Sequence, residues 1–156
     1  MTAKPRSDVL APDIVANFLL TECRERGDVL TNLKLQKLLF YAQAWYLVLK
    51  NEPLFHEDFQ AWVHGPALLS QYRRFKEFEW RPILKDIPPM KLEDSAVVAH
   101  LKEIVDVFGV ESASALEMMT HNEAPWKDAR QGLRADEPSS AVISKESMKS
   151  FYKSLK

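Results

Sequence analysis

The fold is decided by residues 38–49, LLFYAQAWYLVL, where Gln43 alone interrupts an apolar run. Twelve residues are too few to cross a bilayer, which takes about 18 or more apolar residues. The run therefore predicts a buried helix. Because its apolar side chains would point to nearly every side of that helix, other helices have to surround it. We predict an all-α domain built around this central hydrophobic helix.

Capping residues on either side of this run predict where the central helix and the helix before it begin and end. Thr31 is a good N-cap for the central helix, over about residues 32–50, and Asn51 ends it. A first helix is predicted over residues 12–27, where proline starts and glycine stops an apolar stripe of helical spacing.

The region after the central helix is less regular. Residues 54–63 mix aromatic and polar groups and predict a loop or one short extended segment. Gly65-Pro66 is expected to open a third helix that reaches about Glu79. Residues 80–92 contain three prolines and predict a surface connection.

Helical periodicity returns in the second half of the chain. The predicted elements are helices at about residues 93–108, 113–120, 125–131 and from 144 onward, with a polar link at 134–140. The sequence thus predicts six or seven helices and at most one short β segment. We expect one domain over residues 11–156, preceded by a flexible N-terminal extension over residues 1–10.

Composition restricts the classes of partner and the compartment. The 156 residues carry a formal net charge of -1, so no overall field attracts nucleic acid or an anionic membrane. One cysteine, Cys23, excludes an internal disulfide and fits a reducing compartment. No apolar segment follows the charged N-terminus as a signal peptide requires. A cytoplasmic protein without a membrane partner is expected.

The sequence offers no catalytic, cofactor-binding or metal-binding signature. The four histidines lack metal-ligand spacing, and four scattered glycines cannot form a phosphate-binding loop. Cys23 falls on the apolar stripe of the first helix, where it is expected to pack as a small hydrophobe. His100 is expected to be exposed on the polar side of its helix. We therefore expect no enzyme.

A basic cluster is the best nucleic-acid candidate. It comprises Arg73, Arg74 and Lys76, together with Lys34 and Lys37 of the central helix. Two glutamates follow the cluster at once, and such mixed charge is typical of a solvated helix face. A nucleic-acid-binding regulatory protein of phage or prophage origin therefore stays an alternative, although nucleic acid is not the partner we expect.

Two short segments each join a histidine and a tryptophan to a proline. They are AWVHGP, residues 61–66, and THNEAPW, residues 120–126. The structural interpretation is that Trp62 and Trp126 seal the helices while the polar groups cap exposed amides. The histidines are also free to meet a partner.

These segments resemble the Panacea domain, the SocA-like antitoxin family first noted in phage-associated proteins. The first block is NLKLQKLLFYAQA, residues 32–44. The second runs from Pro53-Leu54-Phe55 through residues 61–66 to Tyr72 and Phe75. The third, HNEAPW at 121–126, is similar to the family's H-x-x-x-P-W. In this order the blocks span almost the whole chain.

The resemblance implies a mainly helical antitoxin that neutralises a partner toxin by direct binding. Some members of the family instead act as adaptors that deliver the toxin to a Clp-type protease, and that alternative stays open. The family brings no catalytic residues to carry over. From their chemistry and expected exposure, the candidate partner-binding residues are His64, Tyr72, Arg73, His121 and Trp126, with the N-terminal extension as a further candidate.

Overall fold

The computed structural model describes residues 9–88 and 92–156, so most of the predicted N-terminal extension lies outside the described residues. Within these ranges the elements are α1 (Pro12–Glu25), α2 (Asn32–Lys50), β1 (Phe59–Trp62), β2 (Gly65–Ala67), α3 (Leu69–Phe75), a 3₁₀ turn (Lys76–Phe78), α4 (Ser95–Phe108), α5 (Ala113–His121), α6 (Ala124–Ala129), β3 (Val142–Ile143) and α7 (Lys145–Ser154). The predicted all-α class is confirmed, because helices form the core and the strands are two to four residues long.

Helix α2 is the centre of the fold. It packs against α1, α3, α4, α5, α7 and β2. The Thr31 hydroxyl accepts a hydrogen bond of 3.2 Å from the Lys34 amide, as predicted for the N-cap. From residue 38 to 47 every side chain is buried except the half-buried Trp45. The enclosure predicted for residues 38–49 stops short of Leu49, which is 50% exposed.

Local signals place the other helix ends well. The side chains of Asp94, Ser112 and Ser144 accept hydrogen bonds from the first-turn amides of α4, α5 and α7. Gly27 follows α1 with a φ of 86°, the left-handed conformation expected of a glycine after a helix. These caps lie within two residues of the predicted boundaries, because capping depends only on neighbouring residues.

The helix predicted to open at Gly65-Pro66 is wrong. Residues 65–67 form β2, which pairs antiparallel with β1 in the register Trp62↔Gly65 and Gln60↔Ala67. Pro66 is tolerated because β2 is an edge strand, where a missing amide hydrogen breaks no ladder. The helix begins four residues later, at Leu69.

The third strand was not anticipated by the sequence. Val142 and Ile143 pair with Gln60 and Phe59, which completes a sheet of order β2-β1-β3. A two-residue strand is too short to show any periodicity. Its partner lies more than 80 residues away along the chain, so local patterns could not reveal it.

The predicted exposure of His100 is also wrong. The residue is 8% exposed, its Nε2 lies 2.9 Å from the Ala42 carbonyl, and the edge of its ring meets Tyr46. Position 100 follows Val97 by three residues and therefore shares the apolar face of α4. Burial lowers the pKa of His100, which keeps the imidazole neutral.

We predict that Gln43→Leu destabilises the protein by about 2–5 kcal/mol. Gln43 is 1% exposed; its amide donates to the Phe55 carbonyl at 2.8 Å and accepts from the Leu54 amide at 2.7 Å. Leucine fills similar space but leaves both backbone groups buried and unpaired. Urea unfolding measures the loss. Gln60→Leu, at a half-buried position, is the control, expected to change stability by less than about 1 kcal/mol; equal losses would contradict the assignment.

Candidate partner-binding cleft

A cleft of about 530 Å³ lies between the first half of α2, the β1–β2 hairpin and the chain that follows α3. Its walls are aromatic: the ring of Trp62 meets Tyr72 edge-on at 4.7 Å, and Trp80 stands 69% exposed on the other side. Volumes of this size are typical of pockets that bind a small ligand or a few side chains. We call this feature the hairpin cleft.

The floor of the hairpin cleft is polar and comes from α2. Asn32 donates to the Tyr72 carbonyl at 3.1 Å and accepts from Gln36 at 3.0 Å. The Gln36 oxygen accepts from the Leu68 amide at 2.7 Å. These bonds explain how the first and second sequence blocks come together, because the amides of Asn32 and Gln36 bond each other and find further partners in the second block.

The third floor residue, Lys37, is a buried cation. It is 1% exposed, and its Nζ donates to the Pro66 carbonyl at 2.9 Å. Removal from water lowers the pKa of the Lys37 ammonium to about 7, and the charge of Glu117 only partly opposes this. Near neutral pH, Lys37 therefore exchanges between its charged and uncharged forms.

The β1–β2 hairpin is held from behind by α6 and the residue after it. The Trp126 indole donates to the Trp62 carbonyl at 2.7 Å. Arg130 donates to the Ala61 carbonyl at 2.8 Å and lies over the Trp126 ring at 4.7 Å. The third sequence block thus fixes the position of the second.

A half-buried carboxyl group ties the same region to the core. Glu123 Oε1 accepts from Tyr41 at 2.5 Å and from Tyr152 at 2.8 Å. Burial raises the pKa of Glu123, although the two phenols partly offset the shift by donating to its charged form. Glu123 therefore joins α2 and α7 to the N-terminus of α6.

Two of the five predicted partner-binding residues line the hairpin cleft. His64 lies at its rim, with Nδ1 3.3 Å from Glu117 Oε2 and its ring edge-on to Trp80 at 5.6 Å. Tyr72 is half-buried in the wall. Arg73 is exposed on α3 next to Tyr72 but outside the lining.

The other two predicted residues, His121 and Trp126, lie behind the hairpin. Their rings stack at 4.0 Å, and Trp126 is 5% exposed. Burial lowers the pKa of His121, and among the described residues its Nε2 has no hydrogen-bond partner. The pair holds the hairpin rather than lining the cleft.

Sequence patterns missed Trp80 and the role of Lys37. Trp80 falls in a proline-containing connection without periodicity, so nothing in the pattern marks it as a wall of a cleft. The sequence pattern places Lys37 in a basic cluster, yet the residue is buried. The sequence feature that points to its burial is the polar pair Gln36-Lys37, which lies between leucines of a core helix.

The basic cluster does not form one surface. Lys37 is buried, and Lys34 is engaged by Asp28 at 3.0 Å and the Gly109 carbonyl at 2.8 Å. Arg74 bonds Asn17 and Gln71. Arg73 and Lys76 remain exposed, and these two residues form only a small basic patch for contact with a nucleic-acid duplex.

None of the helices described is long and apolar enough to cross a bilayer.

We predict that Gly65→Ala costs more stability than Gly27→Ala. Both glycines have positive φ, 104° and 86°, so alanine strains the backbone at each by about 1–2 kcal/mol. A Cβ at position 65 would also lie 2.6 Å from Lys37 Cε and 2.9 Å from Thr120 Oγ1, whereas position 27 has open space. Thermal unfolding should show an extra loss of about 1–3 kcal/mol at position 65. Equal losses would mean that Lys37 moves aside freely.

The low pKa of Lys37 predicts a stability difference that depends on pH. Between about pH 7 and 10.5 the unfolded chain binds a proton at Lys37 that the folded chain does not, so this residue costs stability as the pH falls through that range. Lys37→Met removes the effect. The free energy of unfolding of the wild type minus that of the variant should become more positive from pH 7 to 10. The increase should be at most about 1.4 kcal/mol per pH unit.

Urea unfolding at several pH values measures this difference. The neighbouring groups Glu117, His64 and His121 are present in both proteins, so their own titration largely cancels. Below about pH 6 the difference should be constant, since Lys37 is then protonated in both states. A difference that is flat from pH 7 to 10 would show that Lys37 keeps an ordinary pKa.

Comparison with known proteins bears directly on this region. Residues 35–127 match the family described as antitoxin SocA-like, Panacea domain. Antitoxin SocA of Caulobacter vibrioides (strain NA1000 / CB15N) is 34% identical over 127 residues; the match covers 72% of this chain and 66% of that protein, slightly less than two thirds of its length. No solved structure matches. The family match contains Lys37, the β1–β2 hairpin and the first part of α6, and the chain therefore belongs to the SocA-like antitoxin family with a Panacea domain.

Proposed function

We propose that this protein is an antitoxin that neutralises a cognate toxin by direct protein–protein binding in the cytoplasm, and that the hairpin cleft receives the toxin. Family membership and the name of the Caulobacter relative support the antitoxin role. The observation that carries the choice of surface is Trp80, a large aromatic side chain that is 69% exposed at a preformed cleft.

The chemistry of the hairpin cleft suits a protein interface. Such interfaces place aromatic anchors at the centre and polar groups at the rim. Here Trp62, Tyr72 and Trp80 line the walls, while Lys76 and Glu79 contribute opposite charges to the lining. Because the floor amides are already bonded within the domain, the cleft is formed before a partner arrives.

The five residues named from sequence divide into two roles in this proposal. His64, Tyr72 and Arg73 contact the toxin, since they lie in or beside the cleft. His121 and Trp126 act mainly by fixing the hairpin that carries His64. Residues 11–156 form the binding domain. No catalytic step is part of the proposal.

The exposed tryptophan yields a test with intact cells. The gene encoded beside this one is expressed alone and together with the domain; growth should stop in the first case and recover in the second. Trp80→Ala should weaken rescue and raise the dissociation constant of the purified pair by about 30-fold or more, the range of a central aromatic anchor. Arg73→Ala and His121→Ala should weaken rescue to a smaller extent.

Val110→Ala is the matched control, because Val110 is 79% exposed but lies outside the hairpin cleft. Full rescue by Trp80→Ala would remove the cleft from the interface, and a harmless neighbouring gene would count against the antitoxin role. The half-life of the toxin separates simple sequestration, where turnover is unchanged, from delivery to a Clp-type protease, where turnover accelerates.

A further inference from the structure

We propose that the floor of the hairpin cleft binds a carboxylate of the toxin, carried on an extended segment next to an apolar side chain, with Lys37 Nζ as its donor. The inference rests on the proposed function and adds the chemical group that is recognised.

Lys37 is a buried donor with unused capacity. An ammonium has three N–H groups, and among the described residues its hydrogen bond to the Pro66 carbonyl is the only one. The nearby carboxylate, Glu117, bonds His64 instead. A buried cation without a bonded anion is costly, and a bound anion offsets that cost. The domain therefore holds a buried donor that a carboxylate of a partner can engage directly.

The backbone next to Lys37 lets the amine lie close against the hairpin turn. Gly65 has no Cβ, and one placed there would lie 2.6 Å from Lys37 Cε and 3.1 Å from Nζ. Its φ of 104° is also one that other residues rarely adopt. A side chain at position 65 would displace the Lys37 side chain and its amine, so the hairpin turn and the lysine belong to one arrangement.

The charges and walls of the hairpin cleft favour a single carboxylate over a phosphate or nucleic acid. Among the described residues that line the cleft, Lys76 and Glu79 carry opposite charges, and Lys37 is the further cation. In the part of the chain that the structure describes, the lining contains no arginine, the side chain best suited to a phosphate by its forked donors. The aromatic walls suit an apolar residue beside the acid. An Asp or Glu side chain and a free C-terminus present the same group.

Three hexapeptides test the inference with purified domain. The first has blocked ends and a glutamate beside a tryptophan, the second replaces the glutamate by glutamine, and the third is the second with a free C-terminal carboxylate. In titrations to millimolar concentration, the first or the third should bind at least roughly tenfold more tightly than the second, as a charge-assisted hydrogen bond provides. Which of the two binds identifies the source of the carboxylate.

Lys37→Met should abolish this preference and retain folding, because a buried charge replaced by an apolar side chain of similar length is often neutral or stabilising. Lys153→Met, at an exposed position on α7, is the control and should keep the preference. Calorimetry at pH 8 in two buffers of different ionisation enthalpy should detect proton uptake with the carboxylate peptides only. No preference, or one that survives in Lys37→Met, overturns the inference.

The outcome is separable from that of the growth test. If wild type rescues growth but no peptide shows the preference, the antitoxin function stands and the carboxylate site is wrong. If the peptides behave as expected but the neighbouring gene is harmless, the site stands and the antitoxin function fails. If Lys37→Met loses the peptide preference yet binds the toxin as tightly as wild type, the carboxylate does not come from the toxin.

Discussion

Polar side chains inside the enclosed helix α2 are the constraint on which the rest of the structure depends. An amide or ammonium group in a core must find partners, and the backbone groups within a helix are already paired with one another. Gln43 forms hydrogen bonds with the backbone of residues 54 and 55. Gln36 accepts one from the Leu68 amide, and Lys37 donates one to the Pro66 carbonyl. The other helices pack against the apolar faces of α2, while its polar side chains form hydrogen bonds with the irregular chain between α2 and α3.

These separate roles of the apolar and polar side chains of α2 determine where the hairpin cleft lies. The hairpin packs on the helical core, where Lys37 of α2 bonds its backbone, and α6 and Arg130 support it from the other side. Glu123 connects that support to α7 through Tyr152. The hairpin cleft is thus the space between the first and second sequence blocks. The third block stabilises it by fixing the position of the hairpin.

Burial acts on ionisable groups of opposite type with opposite consequences. It raises the pKa of Glu123 and lowers that of Lys37, so each is pushed toward its neutral form. Glu123 is compensated by two phenol donors, whereas Lys37 has a backbone carbonyl alone among the described residues. The uncompensated group is the one that lines a cleft, which is why we assign recognition to Lys37 and a structural role to Glu123.

The sequence by itself determined the helical class, the central helix, most helix ends and the family. These depend on apolar periodicity, on caps such as Thr31 and Asp94, and on motif order, all readable from residues close together in the chain. It also named His64 and Tyr72, which the tertiary structure places in one cleft. Only the tertiary structure decided that Gly65-Pro66 is a strand and that Lys37 is buried. The reason is physical: strand pairing and loss of solvent are imposed by segments far away in the chain, and neither leaves a local pattern.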